Sequence, residues 1–187
     1  MTDGVEARFR EAMAALPDDR AARLGVAVSG GPDSMALLAL AVRCYPGRIA
    51  AATVDHGLRA ESAGEAAMVA QWCAAHDVPH DTLHPTQPVR GNVQAWARSA
   101  RYALLEEWRA RQGIAYILTA HHADDQLETM IMRLNRGSGI AGLAGVRRRS
   151  GMILRPLLDM RKAELVAYAR AADLPHVDDP SNADIRF

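Results

Sequence analysis

The chain has 187 residues, of which 49% are hydrophobic, and it carries 22 basic and 22 acidic residues. This length and apolar content suffice for one sizeable core, so we expect one domain over residues 1–187. The balanced charge excludes a basic surface spread over the whole chain, so any nucleic-acid-binding patch must be local. Cys44 and Cys73 form no C-x-x-C pair and no early apolar run resembles a signal peptide. We therefore expect a reduced, cytoplasmic protein.

Short apolar runs alternate with longer helical patterns along the chain. The predicted elements, in chain order, are a charged amphipathic segment (1–16), a strand (24–29), a helix (32–44), a strand (48–54), a helix (61–77), a strand (78–83), a helix (92–112), a strand (114–119), a helix (124–135), a weak strand (152–154) and a helix (161–172). Asn92 is expected to cap the longest helix, and Gly113 to end it. This alternation predicts a doubly wound α/β fold with a five-stranded parallel sheet covered by helices on both faces. Ligands of such sheets bind at the carboxyl ends of the strands.

The junction between the first strand and the first predicted helix has the composition of a phosphate-binding loop. Its residues are Ser29, Gly30, Gly31, Pro32, Asp33 and Ser34. Glycines let backbone amides approach a phosphate, a helix N-terminus adds free N–H groups and a positive dipole end, and serines add hydroxyl donors. Asp33 would repel a phosphate unless Mg²⁺ bridged the two, so it points to a metal. The loop has no lysine and is not a Walker A loop. The alternative is an ordinary strand-to-helix turn in which Asp33 and Ser34 stabilise the first helical turn.

The end of the second strand offers a further candidate contact with a nucleotide. Val54, Asp55 and His56 stand at this point, where an acid can meet a ribose or an adenine edge. A simple turn built on Asp55 and Gly57 explains the same residues equally well.

The helix predicted after the fourth strand has an apolar stripe at helical spacing. The stripe residues are Leu127, Met130, Ile131 and Leu134. They recur at i, i+3, i+4 and i+7, so we expect them to face the core. Asp124 lies nearer this stripe and is expected to act as a helix cap.

A second face of the same helix has the composition of a catalytic or metal-binding site. Asp125 and Glu128 are i, i+3 neighbours, and His121 precedes Asp125 by four residues. Carboxylates in this position can hold Mg²⁺ or accept a proton. A zinc site is disfavoured, because no cysteine or third spaced histidine completes it. Compensation of the helix dipole explains the first-turn acids, but it does not explain the pair of histidines.

Basic residues and glycines mark three further segments. Arg98 and Arg101 are i, i+3 neighbours that can bind phosphate, or they form a solvated basic face. Residues 137–142 fit G-x-G-x-x-G but follow a helix instead of a strand, so they are not a dinucleotide-binding fingerprint. Residues 147–149 are three arginines that suit either an RNA phosphate contact or a solvated hairpin turn.

Several of these segments resemble one protein family. Residues 29–34 resemble the S-G-G-x-D-S signature of the N-type ATP pyrophosphatases, the PP-loop family, whose members cleave ATP between its α and β phosphates and adenylate a carbonyl oxygen. Five more segments are similar to motifs of one subfamily, the tRNA(Ile)-lysidine synthases. These are V-D-H-G-L-R (54–59), A-R-x-x-R-Y (97–102), H-H-x-D-D-Q-x-E-T (121–129), R-G-S-G-x-x-G-L (136–143) and D-P-S-N (179–182).

The resemblance implies a carbon–nitrogen ligase that uses ATP and Mg²⁺ and acts on isoleucine tRNA with a CAU anticodon and on free L-lysine. Members of the subfamily continue into helical regions that engage tRNA, so this chain is expected to be the catalytic domain. The alternatives are another PP-loop tRNA-modification enzyme, such as a thiolase, and a non-catalytic nucleotide-binding module.

The resemblance also implies roles for individual residues. Nucleotide binding falls to residues 29–34 and to Val54, Asp55 and His56. The metal ligands are Asp33 and Asp125, and the catalytic set adds Arg101 for charge at the α-phosphate and Glu128 for placing the metal or the lysine amine. Contacts with the substrate or tRNA fall to Arg98, His121, Arg136, Gly137, Ser138 and Gly139.

Overall fold

The computed structural model describes residues 2–14, 22–89, 91–135 and 145–177. The helices are α1 (Thr2–Ala14), α2 (Pro32–Cys44), α3 (Ser62–Ala75), α4 (Val93–Arg111), α5 (Ala123–Asn135) and α6 (Lys162–Ala171). The strands are β1 (Leu24–Ala27), β2 (Ile49–Val54), β3 (His80–Leu83), β4 (Tyr116–Leu118), β5 (Arg149–Ser150) and β6 (Ile153–Leu154). None of the helices in these ranges is long and apolar enough to cross a membrane.

The strands form a single sheet in the order β3-β2-β1-β4-β6-β5. Five of them run parallel, and β5 pairs antiparallel with β6 at one edge. The doubly wound α/β prediction is therefore confirmed, and its five parallel strands are present. The prediction missed β5, because a two-residue strand of Arg149 and Ser150 has no apolar periodicity that could reveal it.

The helix boundaries follow local signals that the sequence contains. α2 begins at Pro32, which occupies the first helical turn, where its missing N–H costs nothing. Asn92 caps α4, because its side-chain oxygen accepts a hydrogen bond from the Ala95 amide at 3.0 Å. Gly113 follows α4 with φ +64°, which suits glycine. Both predictions about α4 are confirmed.

The two faces of the sheet are covered unequally. A large cluster of buried side chains joins the sheet to α1, α2, α3 and α6, and a smaller one joins it to α4 through Leu105 and Trp108. Trp108 packs so tightly that a Cβ atom on Gly25 in β1 would lie 2.6 Å from its ring. Gly25 is therefore needed for close approach of α4 to the sheet.

The prediction that the α5 stripe faces the core is wrong. Leu127, Met130, Ile131 and Leu134 are 60%, 39%, 46% and 56% exposed, and α5 buries no side chain among the described residues. The helix is held instead by polar contacts near its start. The Ala123 amide donates to the Met160 carbonyl, and the Gln126 side chain exchanges two hydrogen bonds with the Val146 backbone. Periodicity reports a stripe on a helix but not what packs against it.

Candidate active site

A cavity of about 320 Å³ opens at the carboxyl ends of β1, β2 and β4. Ligand sites of parallel sheets lie at this edge, because the loops that follow neighbouring strands meet there. The residues that line it are Ala27, Val28, Ser29, Gly31, Asp33, Ser34, Ala52, Val54, Arg101, Tyr102, Leu105, Thr119, Ala120, His121, His122 and Asp125.

The loop between β1 and α2 forms one wall of the cavity and is held by its own hydrogen bonds. The Ser34 hydroxyl donates to the Gly31 carbonyl at 2.9 Å and accepts from the Ser29 amide at 3.1 Å. Gly30 has φ +88°, and its carbonyl accepts from the Val177 amide at 3.0 Å. The loop is thus preshaped, with the N-terminus of α2 directed at the space where an anion would lie.

Asp33 meets a buried histidine at the base of this wall. The Asp33 Oδ2 atom lies 3.5 Å from Nε2 of His122, whereas Asp33 Oδ1 is buried with no hydrogen-bond partner among the described residues. Asp125 lines the same cavity, and its Oδ2 accepts from the His122 amide at 2.8 Å. Two carboxylates beside a phosphate loop, one with an unpaired buried oxygen, fit the oxygen ligands of Mg²⁺, which usually takes one or two carboxylates and substrate phosphates. No cluster of three metal-binding side chains exists in the described ranges.

The carboxylates around His122 favour the protonated form of its ring. Burial alone would lower the pKa of His122, but the neighbouring carboxylates of Asp33, Asp125 and Asp124 raise it above the ordinary value.

Asp124 does not act as the predicted cap of its own helix, α5. Its Oδ2 accepts from the Lys162 amide at 2.8 Å and so caps the start of α6.

His121 lies in the cavity wall as a neutral imidazole. Burial lowers its pKa to about 4, and the positive charge of Arg155 acts in the same direction. Its Nδ1 lies 3.0 Å from the Thr119 hydroxyl, which fixes the plane of the ring. At neutral pH His121 can therefore exchange hydrogen bonds with a substrate without adding charge.

Asp55 holds together the turn that follows β2. Its Oδ1 accepts from the Ser62 hydroxyl at 2.7 Å and from the Gly57 amide at 2.8 Å, and these bonds lower the pKa of Asp55. Its Oδ2 lies 4.0 Å from Nδ1 of His84. The turn interpretation of Asp55 and Gly57 thus describes the local structure.

Of the three predicted nucleotide contacts at the end of β2, Val54 lines the cavity, whereas Asp55 and His56 do not. His56 has both ring nitrogens buried without a partner among the described residues. Burial, followed by the charge of Arg101, lowers the pKa of His56, so the ring is neutral at physiological pH.

The structure brings together part of the predicted site. Arg101 lines the cavity, and it forms no ion pair with a described residue. Arg98 is exposed and lies over the Tyr102 ring at 5.3 Å, and Glu128 is exposed on α5. Neither lines the cavity. The predicted contacts Arg136, Gly137, Ser138 and Gly139 and the 179–182 segment lie outside the described residues.

Sequence reasoning missed the two polar residues that line the cavity next to His121, Thr119 and His122. The sequence marks His122 only as one of two adjacent histidines. It directly precedes the first turn of α5, and from that position its side chain can reach Asp124 and Asp125. Thr119 directly follows β4, and its polar side chain after an apolar run is a signal that the sequence contains. Both lie at the junction between β4 and α5.

Comparison with known proteins agrees with this site. A family model described as the PP-loop domain matches residues 1–187. The chain belongs to the PP-loop domain family.

Curated relatives of this PP-loop chain are tRNA(Ile)-lysidine synthases. The protein from Novosphingobium aromaticivorans is 50% identical over 191 residues, which cover 98% of this chain and 58% of that protein. The protein from Rhodopseudomonas palustris is 47% identical over 198 residues, covering 100% of this chain and 57% of the relative. The chain therefore spans little more than half the length of these relatives.

Solved structures share the fold of this PP-loop chain at low sequence identity. The U34-tRNA thiolase NcsA from Methanococcus maripaludis superposes with a TM-score of 0.78 at 15% identity, over 95% of this chain and 66% of that chain. NMN synthetase from Francisella tularensis superposes with a TM-score of 0.62 at 16% identity, over 94% and 72% of the two chains. These likenesses establish the fold alone.

Proposed function

We propose that the chain is the catalytic domain of a tRNA(Ile)-lysidine synthase that acts in the cytoplasm. The observation that carries the proposal is the cavity in which the phosphate loop, Arg101 and the carboxylates of Asp33 and Asp125 face one another. The curated relatives bear the name tRNA(Ile)-lysidine synthase, and they agree with the acceptor that the sequence motifs imply.

The first step is adenylation of the base. The O2 atom of the wobble cytosine of isoleucine tRNA, in a CAU anticodon, attacks the α-phosphorus of ATP, and the bond to pyrophosphate breaks. The loop amides, Ser29 and Ser34 hold the leaving pyrophosphate, and Arg101 stabilises charge on the α-phosphate. Asp33 and Asp125 would hold Mg²⁺, which would neutralise charge on the phosphates.

The second step replaces the activated oxygen. An amine of free L-lysine attacks C2 of the cytosine, the C2–O bond breaks, AMP leaves and the amine loses a proton. Glu128 places the metal or the lysine amine, and Arg98, His121 and residues 136–139 contact the substrates. Asp55 and His56 border the nucleoside part of ATP. The product is a new carbon–nitrogen bond, so the enzyme is a ligase.

A thiolase is the weaker candidate. Cys44 and Cys73 lie on α2 and α3 and do not line the cavity. Burial raises the pKa of Cys73 to about 12, which keeps the thiol protonated and unreactive.

The decisive experiment follows pyrophosphate and the modified nucleoside together. Purified protein is incubated with ATP, Mg²⁺ and an isoleucine tRNA transcript, with and without lysine. We expect pyrophosphate release that depends on the tRNA, and lysidine in the digested tRNA when lysine is present. Release that ignores the tRNA, or a modified cytidine formed without lysine, would contradict the proposal.

One substitution separates chemistry from folding in the same assay. Asp33→Asn keeps the shape of the side chain but removes its charge, so Mg²⁺-dependent adenylation should be lost. The thermal unfolding midpoint should change little. If the variant unfolds instead, Asp33 serves mainly to stabilise the start of α2.

A further inference from the structure

His122 lies between the start of α2 and the start of α5. Only 6% of the residue is exposed, although histidine is polar. Its Nε2 faces Asp33 at the start of α2, and its Nδ1 faces Asp125 and Asp124 at the start of α5, at 3.6 and 3.7 Å. One imidazole thus lies within 3.7 Å of carboxylates at the starts of two helices, α2 and α5.

His122 distinguishes the two oxygens of each carboxylate. In Asp33 it faces Oδ2, and Oδ1 stays buried without a partner among the described residues. In Asp125 its backbone amide binds Oδ2 at 2.8 Å, and no described residue hydrogen-bonds to Oδ1. Each carboxylate therefore has one oxygen engaged by His122 and one left for a cation.

We propose that His122 is a positioning residue that sets Asp33 and Asp125 for Mg²⁺, through its ring for Asp33 and through its backbone amide for Asp125. This inference rests on the proposed function, which makes these two aspartates the metal ligands. Groups that hydrogen-bond to ligating carboxylates orient them, and their loss typically costs about 10–100-fold in metal affinity. His122 itself donates no ligand to the metal.

The ring and the backbone contribute separately, so substitutions have different consequences. His122→Ala removes the contact with Asp33 but keeps the amide that binds Asp125. His122→Gln places a side-chain amide nitrogen near the position of Nε2 and should retain the contact with Asp33. His122→Asn reaches only to the position of Nδ1 and should behave like His122→Ala.

The test measures metal binding directly. Mn²⁺ is titrated into the purified chain with a non-hydrolysable ATP analogue, and free Mn²⁺ is followed by electron paramagnetic resonance. We expect a dissociation constant about 10–100-fold weaker for His122→Ala and His122→Asn, and within about threefold of the parent for His122→Gln. His80→Ala is the control, because it removes a partly buried histidine bonded to Thr53, outside the cavity.

Each outcome decides something. If the parent protein binds Mn²⁺ and His122→Ala binds it equally well, the positioning role is wrong and the metal site of the proposed function stands. If the parent does not bind Mn²⁺ with the analogue, both the metal site and this inference fail. If circular dichroism shows that His122→Ala is unfolded, the Mn²⁺ affinities of His122→Gln and His122→Asn are compared instead. Equal affinities for those two would contradict the role of Nε2.

Discussion

α2 and α5 start at the same edge of the sheet but are held in different ways. Each follows a buried strand, and each carries a candidate metal ligand in its first turn, Asp33 in α2 and Asp125 in α5. α2 buries nine of its residues, whereas α5 buries none among the described residues. One wall of the site is therefore built on the hydrophobic core, and the other on polar contacts.

The difference follows from where apolar residues lie on each helix. α2 is apolar on nearly every side and packs against the sheet, α1 and α6. α5 has one stripe, and its described attachments are hydrogen bonds near its N-terminus. A helix attached in this way keeps its first turn in place while its far end contributes little to stability.

The largest effect is expected when the same substitution, leucine to alanine, is made once on α2 and once on α5. Leu37→Ala removes a fully buried side chain from α2 and should lower the free energy of unfolding by about 2–5 kcal/mol. Leu134→Ala on α5 removes a side chain that is 56% exposed and should cost less than about 0.5 kcal/mol. Urea unfolding followed by circular dichroism measures both.

The result for Leu134 is the sharper of the two. A loss of about 2 kcal/mol at Leu134, the size expected for a buried leucine, would show that the stripe is covered in solution, and the contrast between α2 and α5 would disappear. Leu127→Ala, at the other end of the stripe and 60% exposed, should agree with Leu134→Ala.

The sequence predicted the parts of the fold that depend on local signals. α2 was predicted with its observed boundaries, because proline at its start and the end of the apolar run mark them. The phosphate loop and the parallel sheet were also predicted, since strand, glycine turn and helix follow one another in a short segment. These features are decided by neighbours in the chain.

Features that depend on distant residues were not predictable in this way. The exposure of Leu134 depends on what packs against α5, which no periodicity encodes. The choice between His121 and His122 depends on which ring points at Asp33, far earlier in the chain. The network of Asp55 with Ser62 likewise requires knowing how the loop folds back. Spacing identified the right segments, and the three-dimensional fold selected the side chains.

A second prediction concerns the junction before α5, where His121 is half-buried as a neutral group. Its pKa is lowered to about 4 in the folded protein, below the unfolded value near 6.5. The unfolded chain therefore binds more protons between these values, so stability is full above pH 6.5 and is lost as the pH falls towards 4. Because the ring is partly exposed, we expect a loss of about 2 kcal/mol after allowing for solvent screening.

His121→Asn isolates this contribution. The variant cannot titrate at this position but keeps a polar group near Thr119, so its stability should fall less between pH 6.5 and pH 4. His122 titrates in both proteins, so the difference removes the part of its effect that does not depend on His121. Parallel curves of unfolding free energy against pH would show that His121 is solvated and not held neutral.

The smallest effect concerns the junction before α2, where two adjacent glycines differ in backbone conformation. Gly30 has φ +88°, and a Cβ atom there would meet Glu65 at an ordinary 3.5 Å, so Gly30→Ala should cost about 1 kcal/mol through backbone strain without a clash. Gly31 has φ −73°, and a Cβ atom there would lie 3.9 Å from the Ser29 hydroxyl, so Gly31→Ala introduces no backbone strain and should cost less than Gly30→Ala. Thermal unfolding of the two variants gives the comparison. Equal losses of stability in the two variants would mean that contacts with neighbouring residues, and not the backbone dihedral angles, hold the loop. The start of α2 would then be held in the same way as the start of α5.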